Sequence, residues 1–489
     1  MTEFEKLLLQ KLEEKDQLII SMQATISSLQ NSVDSMSATI TELNQVIEAL
    51  KEQLKKNSSN SSKPPSSDGY RKPAPKSLRE KTGKKQGGQD GHTGKFLKAV
   101  AKPDEVLEYI PAACKGCPHF AKCKGKACVA EERTVIDAVV EVNIISHKVL
   151  SVDCPLHGAT YRGEFPENVR GPIQYGENLQ SLVVSLNTTG ALSINRIHEI
   201  LGNVFNIPLS TGVIATMVHR CADALTETVK KIRQKTAGSK LGHFDETGTR
   251  VDGKTWWVHV ACNSKYTYLY LNRKRGVQAM DEGGVLTVFG GIAVHDCWKP
   301  YWNYSNATHA VCNAHILREL NGVIDNHPDQ IWAPAFKKLL LDMLKAKEKA
   351  LAKEQEQLSN YLLNKFSKQY DKILDTGLQE NPLPETPAKK RGRRKRGKDR
   401  ALIERLLEYK DSVCLFIRDF AVPFSNNQAE QDIRIMKVKT KVSGCFRTEA
   451  GASDYLKIMS YVGTAKKHGM NPFRAIKRAI VGNIELVLD

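Results

Sequence analysis

Apolar residues recur every seven positions along the first stretch of the chain. Ile19, Ile26, Val33, Ile40, Ile47 and Leu54 form one row, and Met22, Leu29, Met36, Leu43 and Leu50 follow three residues after each of the first five. β-Branched residues at one seam position with Leu or Met at the other favour a parallel two-stranded coil. Residues 1–56 are therefore expected to form a coiled coil that joins the chain into a homodimer or higher oligomer, although an amphipathic helix docked on its own domain shows the same rows. Lys15 breaks the seam near its start. The pattern ends in Asn57-Ser-Ser-Asn-Ser-Ser-Lys-Pro-Pro-Ser-Ser67, which has the composition of a linker. From Arg71 to Lys102 only Glu80 and Asp90 are acidic, so 57–104 reads as a flexible basic linker that orders along a polyanion.

Further on, the periodicity changes. Thr134 to Val152 reads as strand-rich, inside a module spanning 105–170. Residues 171–238 read as a helical domain: Ser193 to Phe205 is amphipathic, Asn206 to Leu209 turns, and Ser210 caps a helix reaching toward Lys235. Two helices about a short turn resemble a helix-turn-helix, and equally a purely structural hairpin. Thr255–Val260 and Tyr266–Tyr270 alternate as antiparallel strands about a turn at Asn263-Ser264. A helical segment (Val277 to Val285) follows, then a short apolar run, Gly291 to Asp296, that fits a buried strand. Ala307 to Val311 is one more strand candidate. The interval from Asp296 to Glu430 is far too long for a loop. Gln330 to Leu374 is helical by pattern, which makes about 325–415 an α-helical insertion within a domain at 239–450. A C-terminal helical region, 451–489, closes the chain.

Charge adds a partner class. The 489 residues carry a net +18 with a pI near 9.3, which points to a polyanion. The basic run at 389–398 holds Arg393, Arg394, Lys395 and Arg396, placed to cross a nucleic-acid backbone. Neither a signal peptide nor an 18-residue apolar run is visible, so a soluble intracellular protein without membrane contact is expected. Eleven cysteines, five of them between 114 and 154, suggest metal ligands and buried thiols rather than disulfides.

Three acids carry the chemistry. Asp245 precedes the hairpin, Asp296 ends the buried strand, and Glu430 opens a helix on which Arg434, Lys437 and Lys441 share its face. Carboxylates crowded together resist ionisation unless a cation neutralises them. Two Mg²⁺ ions (or Mn²⁺) about 4 Å apart on such a set would activate a water or a 3′-hydroxyl for in-line displacement at phosphorus. The cationic face behind Glu430, with Arg318, would hold phosphates. The order strand, strand, strand, helix, strand, then a later acid-bearing helix, is that of a ribonuclease H-like core.

Cys114-x-x-Cys117 and Cys154-x-x-His157 have the pairing of a tetrahedral Zn²⁺ site, with Cys123 and Cys128 as competing thiols. Cys312-x-x-His315 has similar spacing but no second pair nearby, which favours a buried structural role.

His243-Phe-Asp-Glu-Thr-Gly248, Val294-His-Asp-Cys-Trp298, Cys312-Asn-Ala-His-Ile-Leu-Arg-Glu-Leu320, Val422-Pro-Phe-Ser-Asn-Asn-Gln-Ala-Glu430 and Lys441-Val-Ser-Gly-Cys-Phe-Arg447 together resemble the DDE transposases of insertion-sequence family sixty-six. The likeness runs from the Asn57 linker to near the C-terminus. It implies that Asp245, Asp296 and Glu430 are the catalytic triad, and it implies a zinc-binding domain, whose second pair is more often Cys-x-x-Cys. Gln431 stands where relatives often carry Arg. The resemblance also implies a bacterial, nucleoid-associated cytoplasmic setting, double-stranded transposon-end and target DNA as partners, and accessory proteins of the same element.

The expected fold is thus an α+β multidomain chain: coiled coil, small zinc module, helical domain, and ribonuclease H-like α/β catalytic core with an α-helical insertion. The expected function is metal-dependent cleavage at element ends followed by strand transfer. Its rivals are a nuclease of the same fold that cuts without joining and a dimeric zinc-containing DNA-binding regulator.

Overall fold

A computed structural model describes residues 2–57, 60–61, 104–124, 128–136, 141–383 and 397–484. The basic tract from Arg71 to Lys102 lies outside them, as do Arg393, Arg394, Lys395 and Arg396. The chain divides into two compact units, one of residues 1–76, 175–197 and 211–489, the other of 77–174 and 198–210.

Helix α1 (Glu3–Lys55) is one unbroken helix. The smaller unit contains a short helix α2 (Phe120–Lys124) and a hairpin of β1 (Ser151–Cys154) and β2 (Ala159–Arg162). The strand-rich stretch expected from Thr134 to Val152 pairs only at its end. Val135, Ile136, Val142, Ile144, Ile145 and Leu150 are all exposed, so their β-branched character finds no apolar face to pack against and no ladder forms over the described residues.

Helices α3 (Glu177–Asn187), α4 (Ile194–Phe205), α5 (Thr211–Ala224) and α6 (Thr226–Ala237) follow. The single helix expected to reach Lys235 is two, because the chain turns at Leu225, whose side chain is fully buried. The turn lets both α5 and α6 bury an apolar face.

Five strands then form one sheet: β3 (Leu241–Val251), β4 (Lys254–Cys262), β5 (Thr267–Asn272), β6 (Ile292–His295) and β7 (Thr308–Val311). Their spatial order is β5-β4-β3-β6-β7. The first three are antiparallel, while β6 runs parallel to both β3 and β7. The tight β3–β4 turn is Asp252-Gly253, both with positive φ (49° and 70°), the combination that matches the right-handed twist of a hairpin. Helix α7 (Val277–Gly283) lies between β5 and β6 in the chain.

Next come α8 (Asn313–Asn326), α9 (Trp332–Leu351), α10 (Asn360–Glu380), α11 (Lys398–Glu408) and α12 (Lys410–Arg418). Helices α9, α10 and α11 fall within the stretch expected to be helical, about 325–415, and a core of Trp332, Phe336, Tyr370, Leu402 and Phe416 is continuous with Val294 and Val311 of the sheet. Helices α13 (Asn427–Ser443), α14 (Glu449–Lys467) and α15 (Pro472–Ile480) complete the chain.

The expected boundaries at 238 and 450 do not separate cores. Val218, Leu225 and Val229 of the earlier helices, with Tyr455, Ile458 and Val462 of α14, share one core with Val258, Val260 and Leu269 of the sheet and Ile433 of α13. An edge strand needs partners for its outward N–H groups, and α14 supplies them with side chains. Thr464 Oγ1 accepts from Thr267 N at 3.1 Å, and Ser460 Oγ accepts from Leu269 N at 2.9 Å. A hydroxyl on the helix thus does the work of a sixth strand.

Thr464→Val keeps the shape and leaves a buried amide unpaired, so it is expected to cost about 1–3 kcal/mol. Thermal denaturation checks the loss, and faster hydrogen exchange at the Thr267 amide checks its location.

Candidate active site

Asp245 lies in the middle of β3, opposite Val260 of β4. Asp296 is the first residue after β6, the parallel neighbour of β3. Glu430 lies in the first turn of α13, where a negative charge is stabilised by the helix N-terminus. All three are partly buried.

What fixes these elements is Asn426, only 2 % exposed. Its Nδ2 donates to the Phe244 carbonyl at 2.7 Å, and its Oδ1 lies 2.8 Å from His243 Nδ1. Its backbone N–H points at Cys312 Sγ at 3.1 Å, and Asn313 N donates to the Phe424 carbonyl at 3.0 Å. The turn before Glu430 is therefore tied both to the strand that carries Asp245 and to the start of α8. Further along α13, Thr267 Oγ1 donates to Asp432 Oδ2 at 2.7 Å, and Asp432 is paired with Lys467.

The electrostatics follow from burial. The Asp245 carboxyl is pushed well above the usual carboxylate range, first by burial, then by the neighbouring charges of Glu246, Asp296 and Glu430. The Glu246 backbone N–H, donating at 2.9 Å, offsets this in part. Asp296 is also raised by burial, against a 3.1 Å bond from Trp298 N and the charge of Arg275. The three acids sit on elements that adjoin at β3, yet their oxygens do not close to a common 4.8 Å cluster. A cation is the ordinary remedy for such a set.

Other residues, unremarked in the sequence, complete the surroundings. Glu246, on the strand beside Asp245, is buried and bound by Arg275 (2.6 and 2.8 Å) and by the Tyr301 hydroxyl (2.6 Å). Arg275 stacks over Trp298 and Trp257, 4.0 and 5.0 Å from the ring centres. Burial lowers His295 to about 3, so it is neutral. It stacks on Tyr301 and meets His309 at 2.9 Å, which holds the turn into Asp296. The signal for Glu246 was present as an acid pair, but which of two adjacent acids faces a positive partner depends on residues distant in the chain.

The cationic residues separate. Lys437 is half-buried and its charge faces Asp245. Arg434 and Lys441 are exposed. Arg318 places its NH2 3.9 Å from Glu430 Oε2, so it meets the acid as well as any phosphate. His315 Nε2 lies 4.0 Å from Glu430 Oε1, and burial, then Arg318, lowers it to about 4. In the smaller unit Cys154 Sγ and His157 Nδ1 are 3.2 Å apart. No three of the Cys114, Cys117, Cys154 and His157 ligand atoms come within 4.8 Å of one another.

Residues 172–454 match the Transposase IS66 family. The match covers more than half of the 489 residues, and the chain belongs to that family. It is a transposase, a DNA-binding and DNA-processing protein by family. Residues 9–98 match a family of unknown function, DUF6444. No curated protein matches the chain. No described helix is long and apolar enough to cross a membrane.

The raised Asp245 gives a pH signature. Its folded value lies above its unfolded one, so the folded chain holds the extra proton. Stability is full below the unfolded value and falls as pH rises toward the folded one. Without divalent metal, Asp245→Asn should therefore stabilise the chain at neutral pH by about 0.5–2 kcal/mol, the scale on which relieving functional-site strain acts. The gain should shrink as pH is lowered to where Asp245 is already protonated. Denaturation curves of both proteins across pH, in chelator, check the sign.

Proposed function

We propose that the chain cleaves DNA at the ends of an insertion sequence and joins the freed ends to target DNA, with Asp245, Asp296 and Glu430 as the catalytic acids. The observation that carries this reading is that three separate elements bring the acids to one region: β6, which ends at Asp296, lies parallel beside β3, and Asn426, one turn before Glu430, bonds the Phe244 carbonyl next to Asp245. The order β5-β4-β3-β6-β7, antiparallel then parallel, supports a ribonuclease H-like core, in which acids at these places converge.

The acids fit a pair of Mg²⁺ or Mn²⁺ ions, because Asp245 resists ionisation and Glu430 Oε1 is buried without a hydrogen-bond partner. Such ions supply Lewis acidity for activating an attacking oxygen and stabilising a leaving one. Asp245 and Asp296 would be oriented by the amides of Glu246 and Trp298. The Glu246–Arg275–Tyr301 bonds hold the floor beside them. Lys437 would lie beside the scissile phosphate, with Arg434, Lys441 and Arg318 on the flanking backbone and the Arg393–Arg396 run reaching further along the DNA. Cleavage replaces the bridging phosphate oxygen by water, and the freed 3′-hydroxyl then displaces a 3′-oxygen of target DNA.

Joining two ends in concert needs two protomers. The seam residues from Ile19 to Leu50 on α1 remain 46–60 % exposed in one chain. Leaving such a row in water is costly, and a second α1 in parallel would cover it. A structural Zn²⁺ in the smaller unit would draw Cys114 and Cys117 to the Cys154–His157 pair and so couple metal binding to folding of that unit.

A strand-transfer assay with end DNA and Mg²⁺ tests the activity. Asp245→Asn, Asp296→Asn and Glu430→Gln should each lower cleavage and joining at least about 10³-fold, with DNA binding retained. Near wild-type joining in any one of them overturns the triad, and cleavage without joining in the parent would instead favour a nuclease. For the seam, Ile26→Lys with Ile40→Lys in the full chain should convert a dimer to a monomer by analytical ultracentrifugation. An unchanged mass would place assembly elsewhere.

A further inference from the structure

Cys312, His315 and Glu430 come together although Glu430 is far from the other two in sequence. One ligand atom from each lies within 4.8 Å of the others. In a tetrahedral site with bonds of about 2.0–2.3 Å, ligand atoms are about 3.3–3.8 Å apart, so a small side-chain adjustment closes the set. Two polar atoms here are buried with no hydrogen-bond partner, His315 Nδ1 and Glu430 Oε1. Glu430 Oε1 is the oxygen that faces His315, while Oε2 faces Arg318. Unpaired buried acceptors are costly, and a neutral imidazole beside a carboxylate with neither atom satisfied is a donor set without its acceptor.

The sulfur is prepared in a different way. Cys312 precedes the first turn of α8. Burial is the largest influence on Cys312 and pushes its thiol up to about 11, while the N–H groups of Asn426, His315 and Ala314 oppose that rise, as amides around metal-bound thiolates do. Buried Cys221 and Cys414 are likewise pushed up by burial, but no backbone amide opposes it there.

We propose that Cys312, His315 and Glu430 bind one borderline-soft divalent cation of the Zn²⁺ class. Thiolate and imidazole donors select such an ion over Mg²⁺, and three protein ligands leave one coordination position open, as in catalytic zinc sites. The Cys312 proton passes to solvent as the sulfur–metal bond forms. Glu430 is the one residue shared with the triad reading, on which the site's role in transposition rests; Cys312 and His315 are not used by that reading.

Co²⁺ reports thiolate coordination directly. The test uses the full chain with Cys114→Ser, Cys117→Ser and Cys154→Ser, its folding checked by circular dichroism, so that the other candidate site is silent. Titration with Co²⁺ should produce a thiolate-to-metal charge-transfer band saturating at one ion per chain. Adding Cys312→Ser should abolish the band, and adding His315→Ala should weaken Co²⁺ binding beyond the roughly 10–100-fold typical of second-shell changes. His315→Ala alone decides the matter if Cys312→Ser does not fold. Asp245→Asn should keep the band while losing strand transfer, which separates failure of this site from failure of the triad. Absence of the band in the parent, or its survival in Cys312→Ser or unweakened in His315→Ala, overturns the proposal.

Discussion

The buried amide of Asn426 is the joint on which the site depends. Its side chain bonds the Phe244 carbonyl and His243, one and two residues before Asp245, and its backbone N–H meets Cys312 at the start of α8. An amide can satisfy a donor and an acceptor at once, and inside the protein each of these bonds would be costly to leave unmade. The α13 helix therefore cannot shift along β3 without breaking several buried bonds together. Glu430, one turn beyond Asn426, inherits that position.

The same region shows two treatments of buried acid. Glu246 is matched by Arg275 and Tyr301. Asp245, adjacent in the chain, accepts from the Glu246 amide and is faced by Lys437 and by several like charges. The difference follows from position: Arg275 and Tyr301 reach Glu246, whereas Asp296 and Glu430 lie on the side of Asp245. The cost is borne by a large surrounding core. The helices α8 to α12 bury aromatic residues in a core shared with β6 and β7, and α6 and α14 pack on β5, with α5 and α15 in the same core.

Sealing of the sheet explains why the C-terminal helices belong to the core rather than to an appendage. With Ser460 and Thr464 answering the outward amides of Leu269 and Thr267, the first half of the β5 edge is taken up by side chains rather than left for strand pairing. Lys439 does similar work between helices: its ammonium caps the carbonyls of Asn187 and Leu192 at 3.0 and 2.9 Å. Burial pushes it down to about 8. One face of α13 thus anchors structure while another carries Glu430 and Lys437.

Local pattern was enough for much of this molecule. The heptads of α1, the alternation of β4 and β5, the apolar run of β6 and the helical insertion are each written in short-range periodicity, and each element is present in the structure. The positions of Asp245 on a strand, Asp296 at a strand end and Glu430 at a helix start were legible from sequence order alone. Local pattern could not say that residues 211–237 and 449–480 share a core with the sheet, because that depends on which apolar faces meet after folding. Among the described residues of Thr134 to Val152 it expected more strand than the pairing at Ser151 and Val152, because the β-branched residues there are exposed. Nor could it tell that Cys312 and His315 face Glu430, that Arg275 and Tyr301 answer Glu246, or that Asn426 joins them. Those contacts link residues up to 183 positions apart, and a side chain's partner at such a distance is decided by the crossing of β3, α8 and α13, which only the tertiary structure sets.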